Sequence, residues 1–174
     1  VKLLAGAGVG YTIKNRFAIR TGFYTARKVY TAAKEDYKPS VQPPAPYLDR
    51  IDADCKVYEI PLNIAYNFGK SEKQNMFASA GLSSFIMKKE TYDYVYLYPG
   101  SPVPYIHTKT VENEYKHYFS VLTISGGYQR KINKVLSFSA EPYVKLPLGG
   151  VGYGKVKLSS AGILFSANIK PFNR

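Results

Sequence analysis

The sequence predicts an all-β protein that forms an antiparallel up-and-down transmembrane β-barrel. Seven segments alternate apolar and polar residues with a period of two, which separates the two faces of a strand. They are roughly 12 to 15 residues long, whereas strands of soluble domains average about 5 to 6 and tilted membrane strands need about 9 to 11. The connections alternate between short and long, as they do in bacterial barrels. Length and alternation together favour a membrane barrel over a soluble sandwich.

The first three segments carry the clearest pattern. In residues 3–13 the odd positions are apolar and most even positions are glycine or threonine. Residues 17–31 begin with Phe17, Ile19, Thr21 and Phe23 on one face and Arg20, Gly22 and Tyr24 on the other. In residues 57–68, Tyr58, Ile60, Leu62, Ile64, Tyr66 and Phe68 alternate with Glu59, Pro61, Asn63, Ala65 and Asn67. We expect each apolar face to contact lipid and each opposite face to line the barrel interior.

The other four segments are predicted at residues 76–88, 118–129, 136–146 and 161–169. The first of these is the least regular, because Phe77 and Phe85 break its contrast. In the next segment Phe119 and three polar residues are expected to face inward, at Thr123, Ser125 and Gln129. Aromatic residues near the strand ends predict two girdles at the lipid headgroups. One comprises Tyr11, Phe17, Tyr66, Phe68, Tyr128 and Phe172, and the other Tyr30, Tyr58, Phe85 and Tyr118.

The connections predict the orientation and the strand count. The short turns are residues 14–16, 69–75 and 131–134, and the long connections are residues 32–54 and 89–116. Short turns are typical of the periplasmic side, so the first segment would start at the outer surface. Barrels of this type, however, normally start and end in the periplasm and have an even number of strands. We therefore expect eight strands in the complete barrel, seven of them in this sequence and the first one N-terminal to Val1. Residues 1–174 would then be a single barrel domain, the C-terminal part of a longer chain.

Composition narrows the classes of function. The net charge is +12, but the basic residues fall near both ends of the predicted strands and do not form one stripe, so no nucleic-acid partner is expected. No run approaches the ~20 apolar residues of a membrane helix, and no signal peptide is visible. Cys55 is the one cysteine, which excludes an internal disulfide.

Four segments resemble the outer-membrane β-barrel domain that is widespread in Bacteroidota. They are residues 59–66 (EIPLNIAY), 80–84 (AGLSS), 140–147 (AEPYVKLP) and 152–162 (GYGKVKLSSAG), and the resemblance extends over nearly the whole chain. It implies an eight-stranded, porin-like small barrel in the outer membrane. Some members of this family resemble the C-terminal domains of longer envelope proteins, including anti-sigma-like regulators. The resemblance implies no catalytic residues.

The inward faces carry charges that need partners, because an unpaired buried carboxylate is costly. Glu59 and Glu141 both point inward by alternation. We predict a structural network of ion pairs and hydrogen bonds that fills the interior, formed by Arg20, Tyr24, Glu59, Asn63, Glu141, Tyr143 and Lys145. The alternative is a proton or ion path.

Other residue clusters receive structural interpretations. His107 and His117 have no nucleophile at a recognisable spacing, and no catalytic residue is predicted. The spacing of Asp49, Asp52 and Asp54 fits no EF-hand pattern and favours a solvated acidic turn, so neither a metal nor a cofactor is expected. The glycines at 149–154 predict a tight hairpin turn, because no helical pattern follows them.

A tyrosine row provides the candidate interaction surface. Tyr92, Tyr94, Tyr96 and Tyr98 alternate with other residues, as in a strand that continues beyond the membrane. Their simplest interpretation is an extended hairpin, and the sharper one is an aromatic surface for a protein or glycan. The proline cluster Pro39, Pro43, Pro44 and Pro46 would stiffen the other long loop.

The expected function is a non-enzymatic one in the bacterial outer membrane. The leading hypothesis is a membrane anchor or accessory subunit of an envelope complex, with outer-membrane lipid and other envelope proteins, or its own N-terminal fragment, as partners. The alternative is the barrel module of a trans-envelope, anti-sigma-like signalling protein. An enzyme and a lipocalin-like carrier rank lower, since a carrier requires an apolar interior.

Overall fold

The strands pair into one antiparallel sheet. The computed structural model describes residues 3–14, 16–33, 35–38, 47–68, 71 and 73–170. Within these residues there are eight strands and no helix. The strands are β1 (Leu3–Ile13), β2 (Phe17–Ala33), β3 (Leu48–Asn67), β4 (Gln74–Tyr96), β5 (Tyr105–Glu112), β6 (Lys116–Lys131), β7 (Leu136–Pro147) and β8 (Ser160–Ile169). Over the described part of the chain, no helix is long and apolar enough to cross a membrane.

The sheet curls into a half-barrel with the order β1-β2-β3-β4-β6-β7-β8, and β5 pairs with β4 outside this path. Strands β1 and β8 are the two edges. The curl is deep enough that Arg20 on β2 contacts Glu141 on β7. The prediction of an all-β, antiparallel, barrel-like fold is confirmed, and seven of the strands correspond to the seven predicted segments.

The predicted alternation of faces is confirmed over most of the sheet. Large apolar side chains on the convex face are between 39% and 76% exposed. They are Val9, Tyr11, Ile13, Phe17, Ile19, Phe23, Ile60, Leu62, Ile64, Met76, Ile124, Tyr128, Phe138, Val144, Leu146, Ile163, Phe165 and Ile169. Phe119 is an exception, because its backbone has φ 48° and its ring lies outside, 53% exposed. Phe85, predicted for a headgroup girdle, is buried on the concave face, and Phe172 lies outside the described residues.

The long connections are much shorter than predicted. Strand β3 begins at Leu48, β4 continues to Tyr96, and β5 occupies residues that were predicted to be loop. These extensions pair with one another, so that Ile51 lies opposite Tyr94, and Tyr94 opposite His107. The prediction of loops over 32–54 and 89–116 is therefore wrong for most of their described residues. Alternation does continue there, but with the apolar set on the other face.

Strand β3 shows this reversal most clearly. From Tyr58 onward the convex face is apolar, and the concave face carries Glu59, Pro61, Asn63 and Ala65. Before Tyr58 the convex face carries Arg50, Asp52, Asp54 and Lys56, and the concave face carries Ile51, Ala53, Cys55 and Val57. The register against β4 shifts between Lys56 and Val57, at the same level.

The reversal divides the protein into two regions. We call β1, β7, β8 and residues 17–25, 57–68, 74–86 and 118–131 the barrel segment. We call the described residues of 26–38, 47–56, 87–117 and 148–159 the cap. The buried apolar cluster lies mainly in the cap and comprises Ala32, Tyr37, Leu48, Ile51, Ala53, Cys55, Met87, Tyr92, Tyr94, Tyr96, Val111, Val151, Tyr153 and Val156. Val57, Phe85 and Val121 join the cluster from the barrel segment.

Candidate functional site

The concave face of the barrel segment holds two ion pairs, one part-buried and one buried. The first joins Arg20 on β2 to Glu141 on β7. The guanidinium donates two hydrogen bonds, from Nη1 to Oε2 at 2.9 Å and from Nη2 to Oε1 at 3.0 Å. The Ser125 hydroxyl donates to the same carboxylate at 2.6 Å. Such a two-pronged contact fixes the carboxylate more firmly than a single hydrogen bond would.

The second pair joins Glu59 on β3 to Lys145 on β7. The ammonium Nζ lies 2.6 Å from Oε1 and 2.5 Å from Oε2 of Glu59. Both side chains are less than a tenth exposed. The Ser83 hydroxyl donates to Glu59 at 2.7 Å and lies 3.4 Å from the Thr123 hydroxyl. Ser83 thus supplies a further hydrogen bond to the buried carboxylate, and Thr123 contacts Ser83 in turn.

The three other residues predicted for the network are Tyr24, Asn63 and Tyr143, and they lie close to the ion pairs. Among the described residues, none of the three forms a hydrogen bond with either pair. The Tyr143 ring lies under the Lys145 ammonium, with 5.0 Å from Nζ to the ring centroid. Tyr24 packs over the glycine surface of β1, where a Cβ at Gly6 would come within 2.6 Å of its ring. The Oδ1 atom of Asn63 is buried and has no hydrogen-bond partner there.

Several interior contacts were missed from the sequence. The Lys28 ammonium lies 3.9 Å from the centroid of the Phe85 ring, and the Arg20 guanidinium carbon lies 4.7 Å from that of Phe77. The two phenylalanines that disturbed the alternation of β4 therefore lie against interior cations, where cation–π attraction favours them. Extending the period of two along β2 from Tyr24 would have placed Lys28 inside.

These side chains fill the interior around the pair of Glu59 and Lys145. A cavity lined by Lys28, Glu59, Tyr143, Lys145 and their neighbours has a volume of about 10 Å³. A water molecule needs roughly this space and a substrate needs far more. This part of the interior can hold charges in place, but it offers no room for a ligand.

The cap has its own polar centre around Glu90, which is 1% exposed. The Tyr92 hydroxyl donates to Oε1 of Glu90 at 2.6 Å, and the Tyr153 backbone amide donates to the same atom at 3.0 Å. The other oxygen, Oε2, has no hydrogen-bond partner among the described residues. Burial therefore raises the pKa of Glu90 above its ordinary value, and the two hydrogen bonds oppose this shift only in part.

Hydrogen bonds and aromatic contacts connect the 148–159 hairpin to the rest of the cap. The backbone amide of Gly152 donates to Nε2 of His117 at 2.9 Å, and burial lowers the pKa of that histidine. The Lys109 ammonium donates to the Tyr153 hydroxyl at 2.6 Å. The hydroxyls of Tyr37 and Tyr94 lie 2.7 Å apart, and burial raises the pKa of both. His117 therefore has a structural role in this hairpin.

The predicted tyrosine surface is wrong for three of its four members. Tyr92 is 0%, Tyr94 is 3% and Tyr96 is 5% exposed, and only Tyr98, at 44%, is accessible. The row belongs to the concave face of β4, which in the cap is the apolar core. Tyr98 instead joins an exposed group at the tip of the cap, with ring centroids 5.1 Å from Tyr47 and 6.4 Å from Tyr105.

The remaining clusters occupy structural positions. The acidic residues at 49–54 contact cations, with Arg50 bonded to Asp49 and Asp52, and Arg27 bonded to Asp54. Nowhere in the described ranges do three metal-ligating side chains come together. Residues 149–154 include a turn with Gly152 at φ 74°, closed by the bridge between Val151 and Val156. The proline cluster at 39–46 lies outside the described residues.

A comparison with known proteins finds no matching family model and no significantly similar curated protein or solved structure. The resemblance to the Bacteroidota barrel domain stays a prediction.

Proposed function

We propose that this chain is a non-enzymatic β-barrel of a bacterial outer membrane, acting as an anchor or accessory subunit of an envelope complex. The observation that carries the proposal is the reversal of polarity along continuous strands. Water outside a protein favours apolar burial, as in the cap, whereas lipid outside allows the apolar side chains to face outward. One strand such as β3 meets both conditions only if it leaves the membrane near Tyr58.

The height of the apolar belt fits a membrane. On β2 the belt runs from Phe17 to Thr25, and the charged convex row begins at Arg27. With ~3.3 Å per residue and a tilt of ~40°, this stretch spans about 23 Å, close to the ~25 Å band of outer-membrane barrels. A soluble monomer rarely exposes a continuous apolar surface of this extent.

Closing the sheet takes one more strand. All neighbours along the path of seven strands are antiparallel, so β1 and β8 at its two ends run in the same direction. They cannot pair antiparallel with each other, but one strand of opposite direction could pair with both. With this additional strand the barrel wall would have eight strands, β5 not being one of them. It would leave no open edge in the membrane, where unsatisfied backbone groups are costly.

The filled interior favours an anchor over a channel. Two ion pairs and their serine partners occupy the space that an aqueous path would need. An eight-stranded barrel is in any case just wide enough to be filled by side chains. The surface left for a partner is the outside of the cap, including the exposed tip around Tyr47, Tyr98 and Tyr105.

Membrane fractionation with heat-modifiable gel migration tests the proposal. We expect the protein in the outer-membrane fraction, resistant to carbonate extraction, and migrating differently before and after boiling. Intact mass and N-terminal sequencing of the same material would identify the polypeptide that supplies the eighth strand. A protein that is monodisperse in buffer without detergent would overturn the membrane assignment.

A further inference from the structure

The connections from β1 to β2, from β3 to β4 and from β6 to β7 lie at one end of the barrel segment, which we call the turn end. This end carries a concentration of positive charge. We call these seven exposed residues the basic rim: Lys14, Arg16, Lys73, Arg130, Lys131, Lys134 and Lys170. No acidic residue is present among the described residues at this end, and Glu72 in the 69–75 turn lies outside them. None of the seven is in an ion pair within the described ranges.

Backbone hydrogen bonds bring the separate turns together into a continuous rim. The Asn67 amide donates to the Arg16 carbonyl at 2.7 Å, and the Lys131 amide donates to the Lys73 carbonyl at 2.9 Å. The Lys170 amide donates to the Val135 carbonyl at 2.8 Å. The charges therefore lie along the same end of the strands, from β1 across the sheet to β8.

This rim directly borders the apolar belt. Arg16 donates from Nη1 to the Tyr66 hydroxyl at 3.2 Å, and the Tyr66 ring lies 5.1 Å from the Phe17 and Phe68 rings, centroid to centroid. Aromatic rings of this kind take the headgroup level in membrane proteins, and cations just beyond them reach the lipid phosphates. The rim is thus placed at the depth of lipid headgroups.

The opposite end of the strands is different, because its exposed surface mixes basic with acidic residues and several of them are paired. Arg27 contacts Asp54, Arg50 contacts Asp49 and Asp52, and Lys89 contacts Glu112. Within the described residues, the turn end combines seven cations outside ion pairs with a bordering apolar belt and no acidic residue, whereas the unpaired Lys56 at the other end has Asp54 beside it on the convex face.

We propose that the basic rim binds the phosphates of anionic phospholipids in the leaflet that surrounds the turns. The proposal rests on the membrane function proposed above and adds the class of lipid. A basic residue near an anionic membrane surface strengthens association up to about fivefold, and the effect declines as salt shortens the Debye length.

Spin-labelled phosphatidylglycerol and phosphatidylcholine would measure this preference in vesicles containing the purified protein. The rim variant combines K73Q, K131Q, K134Q and K170Q. The matched control combines K56Q, K88Q, K116Q and K157Q, which removes the same charge from exposed cap lysines. We expect the unaltered protein and the control to immobilise phosphatidylglycerol several-fold more strongly than phosphatidylcholine at low salt. The rim variant should lose most of this preference.

The outcomes separate the two proposals. Equal association of both lipids with the inserted, unaltered protein overturns the lipid inference alone, as does an equal loss in the control. A preference that does not weaken between 50 mM and 1 M salt also overturns it, even if the rim variant fails to fold. In these cases an acidic protein is the better partner for the rim. Failure to insert into either bilayer overturns the membrane proposal, and the lipid inference with it.

Discussion

The barrel segment and the cap share several strands, yet most of the charged side chains they bury lie in the barrel segment and most of the apolar ones in the cap. The barrel segment encloses Glu59, Glu141 and Lys145, whereas the cap encloses Ile51 and Tyr92 with other apolar residues. Their outer surfaces are reversed in the same way. Backbone pairing is indifferent to this reversal, because the β-ladder uses only main-chain groups. Under the membrane assignment proposed above, the difference teaches that the surrounding solvent, and not the backbone of the strand, decides which face of a sheet becomes the core.

The largest expected effect distinguishes an ion pair of the barrel segment from one of the cap. Replacing Glu59 with Leu leaves the Lys145 ammonium buried without its counter-charge, so we expect a loss of about 3–5 kcal/mol in the free energy of unfolding. Urea unfolding in phospholipid vesicles, followed by tyrosine fluorescence, would measure it. The Glu112→Leu control breaks an exposed pair with Lys89 and should cost no more than about 1 kcal/mol. Unchanged stability of Glu59→Leu would contradict a buried network.

The double variant Glu59→Leu/Lys145→Met sharpens this test. Replacing both partners removes the uncompensated charge, and apolar substitutes for buried pairs are often neutral. We expect the double variant to recover most of the stability lost in Glu59→Leu. A double variant as unstable as the single one would mean that the pair contributes through shape and not through charge.

The next effect concerns the outer surfaces. Leu62 lies on the belt near its mid-height and is 48% exposed, and we expect Leu62→Arg to cost about 2–4 kcal/mol, the range for a cation at the centre of a bilayer. Val29 has a similar exposure of 43% but pairs with Asp54 in the cap. Val29→Arg should change stability by about 0.5 kcal/mol or less. Equal effects of the two variants in the unfolding assay would remove the distinction between the two surfaces.

Sequence reasoning predicted the barrel segment well and the cap poorly. In the barrel segment the apolar set stays on one face, so alternation predicts both the strands and the inward position of Arg20, Glu59, Glu141 and Lys145. Their pairing partners depend on how far the sheet curls, which no period reveals. In the cap the same alternation changes face at Lys56, and the resulting pattern resembles a loop between strands. The tyrosine row is predicted as a strand extension with an exposed aromatic face, because its alternation does not reveal that the cap has an apolar core of its own.

A smaller effect tests the conformation of the cap hairpin. Gly152 has φ 74°, and a Cβ there would come within 2.3 Å of Oε1 of Glu90. We expect Gly152→Ala to destabilise the cap by about 1–3 kcal/mol, the cost of a strained backbone conformation. Gly149 has no atom within 4 Å of its Cβ position, so Gly149→Ala is the matched control and should be close to neutral. Hydrogen exchange of cap amides would separate the two, and faster exchange in Gly149→Ala alone would contradict this account.

The smallest effect depends on pH and arises from Glu90. Burial raises the pKa of this carboxyl in the folded protein, so its stabilising contribution is complete below the ordinary pKa of glutamate. As the pH rises from there to the raised value, the unfolded chain ionises first and the folded protein loses stability. Glu90→Gln keeps both hydrogen bonds to the remaining oxygen but cannot ionise. We therefore expect it to match the unaltered protein in acid and to become the more stable of the two as the pH rises through this window. Thermal unfolding of the cap followed by near-ultraviolet circular dichroism would show this. Parallel pH profiles would mean that Glu90 is solvated and that the cap opens where the structure is closed.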